Sequence, residues 1–354
     1  MKRITVKVGS TFFIDNNGNV NTPNIRNLVR EIAVLKSRGI GVCLVTSGAI
    51  AVGTKKMKLK RKPSATDKKQ ALAAIGQMSL MQIYEQVFDE YKLRCAQILL
   101  SHDDFGNRDR VNNLRTTLNA LFDYDVVPVI NENDAIATAE IKVGDNDTLS
   151  AMASLVIESS LLVLVSDVDG LYTANPNVDP EAKLIPVVDK IDERIIALAK
   201  APSSEFGTGG MATKIKAAQI TNSAGIPMMI VNRTNIEKLH LIALGENLGT
   251  YFKESSIREP LKKCWIKYCA NVVGAVVCDR GAESAVLKRK SLLSCGITEI
   301  HGDFSGGNVV DVLNAEGKII ARGVCPFTSS ELKKFVKDKS NAQLVIHANN
   351  TVII

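Results

Sequence analysis

Histidine is scarce in this chain, four residues in 354, and the two that precede residue 260, His102 and His240, stand outside every polar cluster. A histidine general base is therefore not expected. The seven cysteines are an odd count with no CxxC pair, and the nearest two, Cys264 and Cys269, have no histidine at metal-ligand spacing. That pattern argues against zinc and for reduced, structural thiols. No apolar run approaches the roughly 20 residues that span a bilayer. Met1–Gly9 lacks the charge, apolar run and small-residue site of a signal peptide, so a cytoplasmic protein with no membrane partner is expected. Neither GxxxxGK[ST] nor GxGxxG follows the first strand, which removes P-loop enzymes and nicotinamide dehydrogenases. Repeats and low-complexity tracts are also missing.

What is present is ordinary for a folded soluble chain, with 45% hydrophobic and 23% charged residues, at a length that suits two domains. From residue 4 to 252, short apolar runs alternate with helical periodicity. Strands are expected at Ile4–Val8, Gly41–Val45, Cys95–Leu100, Val126–Ile130, Leu161–Val165 and Met228–Val231, with an edge strand at Thr250–Phe252. Helices are expected at Asn24–Arg38, at Asp67–Tyr91 with a break near Gly76, at Val111–Phe122, at Thr148–Ile157, and from Lys214 to Ala224. This alternation implies a mostly parallel sheet covered by helices on both faces. Residues 256–262, with charges and Pro260, read as a linker between domains at 1–255 and 263–354. The second is β-rich, with strands at Val272–Cys278, Ile297–His301, Val309–Leu313, Lys318–Ala321 and Leu344–His347 separated by glycine or polar turns, and a short helix at Glu331–Val336.

Polar residues gather where strands end, which is where open α/β sheets bind ligands. Gly9–Ser10–Thr11 follows the first strand, Thr46–Ser47–Gly48 the second, and Gly207, Thr208, Gly209 and Gly210 precede a helix that carries Lys214. Each can bring N–H groups to a phosphate. Lys7 puts an ammonium at the carboxyl end of the first strand, a poor place for a core residue. Between Val129 and Ser150 three aspartates, three asparagines and a glycine surround two short apolar stretches, with an expected polar loop at Asn131–Asp134, a hairpin at Ala139–Val143 and a Gly144-led turn. One aspartate there could simply cap a helix; the whole group reads as the floor of a site for a small charged substrate. A nucleotide-dependent phosphoryl-transfer enzyme accounts for these features together.

Four strings then carry a resemblance: VKVG at 6–9, VTSGAIAVG at 45–53, PVINENDAIATAEIKVGDNDTLSA at 128–151 and GTGGMATK at 207–214. On them the chain resembles the glutamate 5-kinase family within the amino-acid kinases, and its tail, from Asp279 to Val324, is similar to a PUA domain. The resemblance implies an amino-acid-kinase α/β fold, a parallel-rich sheet sandwiched by helices, plus a small PUA-like domain. It implies transfer of phosphate from ATP, with Mg²⁺, to the side-chain carboxylate of L-glutamate. The product, L-glutamyl 5-phosphate, would open proline biosynthesis, with proline as feedback inhibitor and a homo-oligomer as the working form. With no dehydrogenase domain before Ile354, a stand-alone kinase is expected.

Residue by residue, the resemblance implies that Lys7 contacts ATP phosphates and that Ser47, Asp134 and Asn146 bind glutamate. Ser166, Asp167, Thr208, Gly209, Gly210, Met211, Ala212, Thr213 and Lys214 would line the nucleotide site. Lys214 would face the transferred phosphate and Asp147 would organise the two lysines; no protein metal ligand is implied. The family has Gly-Thr-Ser where this chain has Gly9–Ser10–Thr11, which leaves the phosphate-contacting hydroxyl open. Six basic residues in eight, Lys55–Lys62, are more than the family suggests; a solvated loop is the plain explanation. The chemistry fits independently: a glutamate side chain is already ionised at neutral pH, so it needs placement and charge cancellation and no base.

The competing interpretation is an RNA-binding PUA protein with a nucleotide-controlled module. Residues 261–354 hold 13 Lys/Arg against 8 Asp/Glu. Nucleic-acid surfaces usually interleave a stronger basic stripe with aromatics, and aromatics here are 5%.

Overall fold

The computed structural model describes residues 2–14, 20–136, 146–176, 178–199, 210–256, 258–337 and 342–354. The chain divides into two compact units, Met1–Ser101 with Asp109–Arg258, and His102–Arg108 with Glu259–Ile354.

The first unit is built on an eight-stranded sheet of β1 (Lys2–Val8), β2 (Ile40–Val45), β3 (Arg94–Leu100), β4 (Val126–Glu132), β5 (Leu162–Ser166), β6 (Val187–Val188), β7 (Met228–Asn232) and β8 (Gly249–Phe252), in the order β3-β4-β2-β1-β5-β7-β8-β6. All neighbours are parallel except β7 and β8. β8, expected as an edge strand, is not one, because the two-residue β6 pairs on its far side. The central strands are apolar throughout, and β2 is buried at all six positions, as a sheet covered on both faces requires.

Six helices matter to the site: α1 (Thr22–Ser37), α2 (Ala49–Lys56), α3 (Thr66–Glu90), α4 (Arg108–Asp123), α5 (Asn146–Val156) and α6 (Met211–Ser223). α1 presents Ile25, Leu28, Val29, Ile32 and Leu35 to the core and stops at Gly39, whose φ of +74° favours glycine. α3 runs unbroken for 25 residues; Gly76 does not interrupt it. That glycine serves a helix crossing. A Cβ at Gly76 would lie 1.8 Å from Ala49 O, and one at Gly53 would lie 2.0 Å from Leu72 O, so α2 and α3 touch backbone to backbone.

The polar stretch after β4 is also different from expectation. Asn131 and Glu132 are strand residues, paired with Leu99 and Leu100 of β3, and the turn begins only at Asp134. The hairpin at 139–143 and the Gly144–Asp145 turn lie outside the described residues.

The second unit centres on a five-stranded sheet in the order Ile297–His301, Val272–Cys278, Val309–Leu313, Ile319–Val324, Thr351–Ile353, around a core that includes Val276, Val310, Val312, Leu332 and Ile346. The expected helix near 331–336 spans Ser329–Lys337. Two further helices, Leu261–Tyr268 and Arg280–Leu287, were not foreseen. The first begins directly after Pro260, inside the stretch read as a linker. Residues 102–108 join this unit, where Trp265 Nε1 donates to Phe105 O.

Candidate active site

The sheet and the α5–α6 helix pair bring three charges together. Lys7 stands near the end of β1, the strand between β2 and β5. α5 is buried along all eleven residues, and its second residue is Asp147. Asp147 Oδ1 lies 2.7 Å from Lys7 Nζ, and Oδ2 lies 3.0 Å from Lys214 Nζ on the first turn of α6. Thr213 Oγ1 also donates to Oδ2, at 2.7 Å. The side chains of Lys7, Asp147 and Lys214 are only 10%, 1% and 9% exposed. Burial pushes the Asp147 carboxyl upward, but the two ammonium groups and the Thr213 hydroxyl outweigh it, and the group is held well below the usual carboxylate range. Two cations on one anion leave this buried cluster net positive, a receptor for negative charge.

Next to it lies a group of bonded polar side chains. Asn146 Nδ2 donates to Ser47 Oγ at 2.6 Å and to Thr46 O at 2.8 Å. Gly48, with φ of +100°, turns the chain from this point into α2. Asp134 lines a cavity of about 450 Å³ together with Ala49, Gln77, Gln97 and Glu132. Burial raises the Asp134 carboxyl to about 6, against the opposing pull of Lys62. Lys62, the last residue of the basic run, is in turn lowered by burial and by Lys69, and raised by Asp134.

On the other side of the cluster, Ser166 closes β5 and Asp167 follows it. Thr11 Oγ1 donates to Asp167 Oδ1 at 2.6 Å, and Arg233 Nη1 donates to Thr11 O at 2.9 Å. Gly210 is the N-cap of α6 and makes no side-chain cap; Thr213 N–H donates to Gly210 O at 3.2 Å, and Met211 and Ala212 open the first turn, whose N–H groups point along the helix axis. Thr208 and Gly209 lie outside the described residues. Among the described residues no group of three or more His, Cys, Asp or Glu side chains is placed to hold a metal ion.

The structure thus gathers Lys7, Asp147 and Lys214 into one cluster, with Ser47 and Asn146 bonded beside it. Sequence reasoning missed Thr11 as a partner of Asp167, Arg233 behind it, and Asn131 and Gln77 behind Asn146. Asn131 sat in the conspicuous NEND string, where only Asp134 had been singled out. Gln77 gave no signal, being one polar residue on a long helix. His240 pairs with buried Glu31 at 2.6 Å, on α1, and takes no part in the cluster.

Residues 2–232 match the amino acid kinase family model, and 274–343 match the PUA domain. Glutamate 5-kinase from Thermoanaerobacter sp. is 41% identical over 99% of this chain and 98% of its own. The glutamate 5-kinases of Carboxydothermus hydrogenoformans and Dictyoglomus thermophilum are 41% and 42% identical over 100% of this chain and 98% of theirs. Matches of that extent do not favour an RNA-binding protein with a nucleotide-controlled module.

Proposed function

The chain belongs to the amino-acid kinase family, among the glutamate 5-kinases, and from that premise we propose how its own residues carry the ATP-dependent phosphorylation of L-glutamate. The observation that carries the proposal is the buried Lys7–Asp147–Lys214 cluster at the ends of β1 and α6. The γ-phosphoryl group of ATP sits between the two ammonium groups. An oxygen of the glutamate side-chain carboxylate bonds to the γ-phosphorus as the bond from phosphorus to the β,γ-bridging oxygen breaks, and ADP leaves with that electron pair. No proton moves, since the attacking carboxylate is already ionised. Lys7 and Lys214 neutralise the charge on the transferred group. Asp147 holds them about one point despite their mutual repulsion. The α6 N-terminus and Ser166–Asp167 position the nucleotide, and Ser47, Asp134 and Asn146 position glutamate.

Mg²⁺ fits as the nucleotide's own counter-ion, because it usually keeps several waters and takes few protein ligands beside phosphates; bound there, it would shield the β- and γ-oxygens. The same proposal makes the product the first intermediate of proline synthesis, proline the feedback inhibitor, and a cytoplasmic homo-oligomer the working form. It assigns both substrate sites to residues 1–255 and the PUA-like domain to the part of the chain beyond Pro260, where the helix Leu261–Tyr268 begins. ADP release across a panel of amino acids is the test. L-glutamate is expected to be the best acceptor, with aspartate and N-acetylglutamate poor; faster release with N-acetylglutamate would overturn the assignment.

Asp134 sets the pH dependence. Its carboxyl, raised to about 6, is ionised at pH 7 and protonated below. Only the ionised form attracts the substrate's α-ammonium, which stays charged throughout. kcat/KM for glutamate is therefore expected to fall about tenfold per pH unit below pH 6, while kcat at saturating glutamate falls less. Lys62 draws the group down, so Lys62→Gln is expected to move the acid limb upward. A profile flat from pH 7 to 5, or a downward shift in the variant, would contradict the role given to Asp134.

A further inference from the structure

The network that fixes the Asn146 amide ends on Gln77, a side chain outside the four family strings. The order begins on the main chain, where Glu132 N–H donates to Asn131 Oδ1 at 2.9 Å. With its oxygen fixed, Asn131 turns its nitrogen to Gln77, Nδ2 to Oε1 at 2.7 Å. Asn131 Oδ1 also accepts from Asn146 Nδ2 at 3.2 Å. That nitrogen faces two further acceptors, Thr46 O and Ser47 Oγ. An amide nitrogen donates and an amide oxygen only accepts, so the orientation of Asn146 is determined, and its oxygen is left over. Among the described residues Asn146 Oδ1 has no hydrogen-bond partner, and neither has Asp134 Oδ1.

Each is an acceptor without a donor, and such an acceptor complements a group that only donates. A primary ammonium is such a group, with three N–H and no lone pair. Gln77 is 8% exposed and Asn131 1%, so the relay is shielded from competing water. Gln77 and Asp134 line the same cavity. Stability alone gives no reason for a glutamine here, because its Nε2 is buried without a partner among the described residues; the acceptor end is what the neighbouring asparagine uses. The close α2–α3 crossing at the adjacent Gly76 is what brings Gln77 to this depth.

We propose that Gln77 is a positioning residue for the amino-acid substrate: by holding Asn131 Nδ2 it keeps Asn131 Oδ1 on Asn146 Nδ2, and the Asn146 oxygen thereby stays placed for a free α-ammonium. The inference rests on glutamate being the acceptor, as proposed above. It separates this chain's preference for glutamate from that for glutarate, which has both carboxylates and no amine.

The test is steady-state kinetics on the full chain with glutamate, glutarate and ATP, alongside a melting curve. Gln77→Leu removes the acceptor and is expected to raise KM for glutamate about tenfold, to lower the glutamate-over-glutarate preference about tenfold, and to leave KM for ATP within about twofold. Gln77→Glu keeps an oxygen for Asn131 whether charged or neutral, and any added charge favours an ammonium, so it is expected to retain the wild-type KM and preference. Adding Gln77→Leu to Asn131→Leu is expected to raise KM no further, because the two act in series. A folded Gln77→Leu protein with wild-type KM and preference would overturn the proposal, as would a Gln77→Glu protein impaired tenfold. If Gln77→Leu fails to fold, the Gln77→Glu result decides. A wild-type protein inactive on glutamate would instead overturn the acceptor assignment and not the relay.

Discussion

Asp147→Asn is expected to lower kcat by about 10²–10³, the usual cost of losing one preorganised electrostatic element. The carboxylate touches both lysines, at 2.7 and 3.0 Å, in a place where its own side chain is 1% exposed. Asparagine keeps the size and one acceptor but no charge, so two buried ammonium groups lose their common anion and part. The substrate contacts proposed for Asp134 and Asn146 are left in place, and KM for glutamate is expected to change much less than kcat. The variant is also expected to melt earlier, since breaking a buried ion pair commonly costs about 3–5 kcal/mol, yet to be folded at 25 °C. The wild-type group is held below its ordinary pKa. Its contribution to stability is therefore fully present above the unfolded value of about 4 and is lost as pH falls through the lower, folded value. Titration of Asp147 thus produces nothing between pH 5 and 8, and an inflection near 6 belongs to Asp134. A folded Asp147→Asn protein with near-normal turnover would show that the organiser role is misassigned; one that fails to fold would return Asp147 to a helix-capping role.

Gly76→Ala is expected to destabilise the first unit by about 3 kcal/mol or more, at the upper end for overpacking. The new methyl would fall 1.8 Å from Ala49 O and 2.5 Å from Gly53 N, which are backbone atoms with no rotamer to escape through. α2 and α3 must separate. For a unit of this size that corresponds to a fall of about 10 °C in Tm. The same movement withdraws Gln77 from Asn131, so KM for glutamate is expected to rise in whatever fraction remains folded. A Tm within a degree of wild type would mean that the crossing is looser than its geometry indicates.

This crossing also shows where the sequence stopped being informative. Strands β1, β2, β4, β5 and β7 were legible because buried parallel strands are apolar runs, and α1 because its apolar positions repeat every three to four residues. Gly76 was misread because glycine inside a helical pattern looks like a break; only its neighbour across space, Gly53, gives it meaning. Asn131 and Glu132 were misread as loop because polarity masks a strand whose side chains bond inward. Helix Arg280–Leu287 was hidden by Gly281, although Asp279 caps it through Ala282 N. Lys7 stands out from its place at a strand end, but its grouping with Asp147 and Lys214, 140 and 207 positions later, came from family resemblance. No local periodicity encodes a contact of that range. Gln77 was illegible altogether, because its importance lies in which atom of Asn131 it faces.

In the proposed reaction a carboxylate, bound through its neighbouring ammonium, receives the phosphoryl group gathered by Lys7 and Lys214. An acyl phosphate reacts with hydroxylamine to give a hydroxamate, so trapping reports the bond formed. With wild-type protein, ATP, Mg²⁺ and L-glutamate, γ-glutamyl hydroxamate is expected to accumulate in step with ADP and to depend on glutamate. ADP without hydroxamate, or more hydroxamate from N-acetylglutamate than from glutamate, would contradict it.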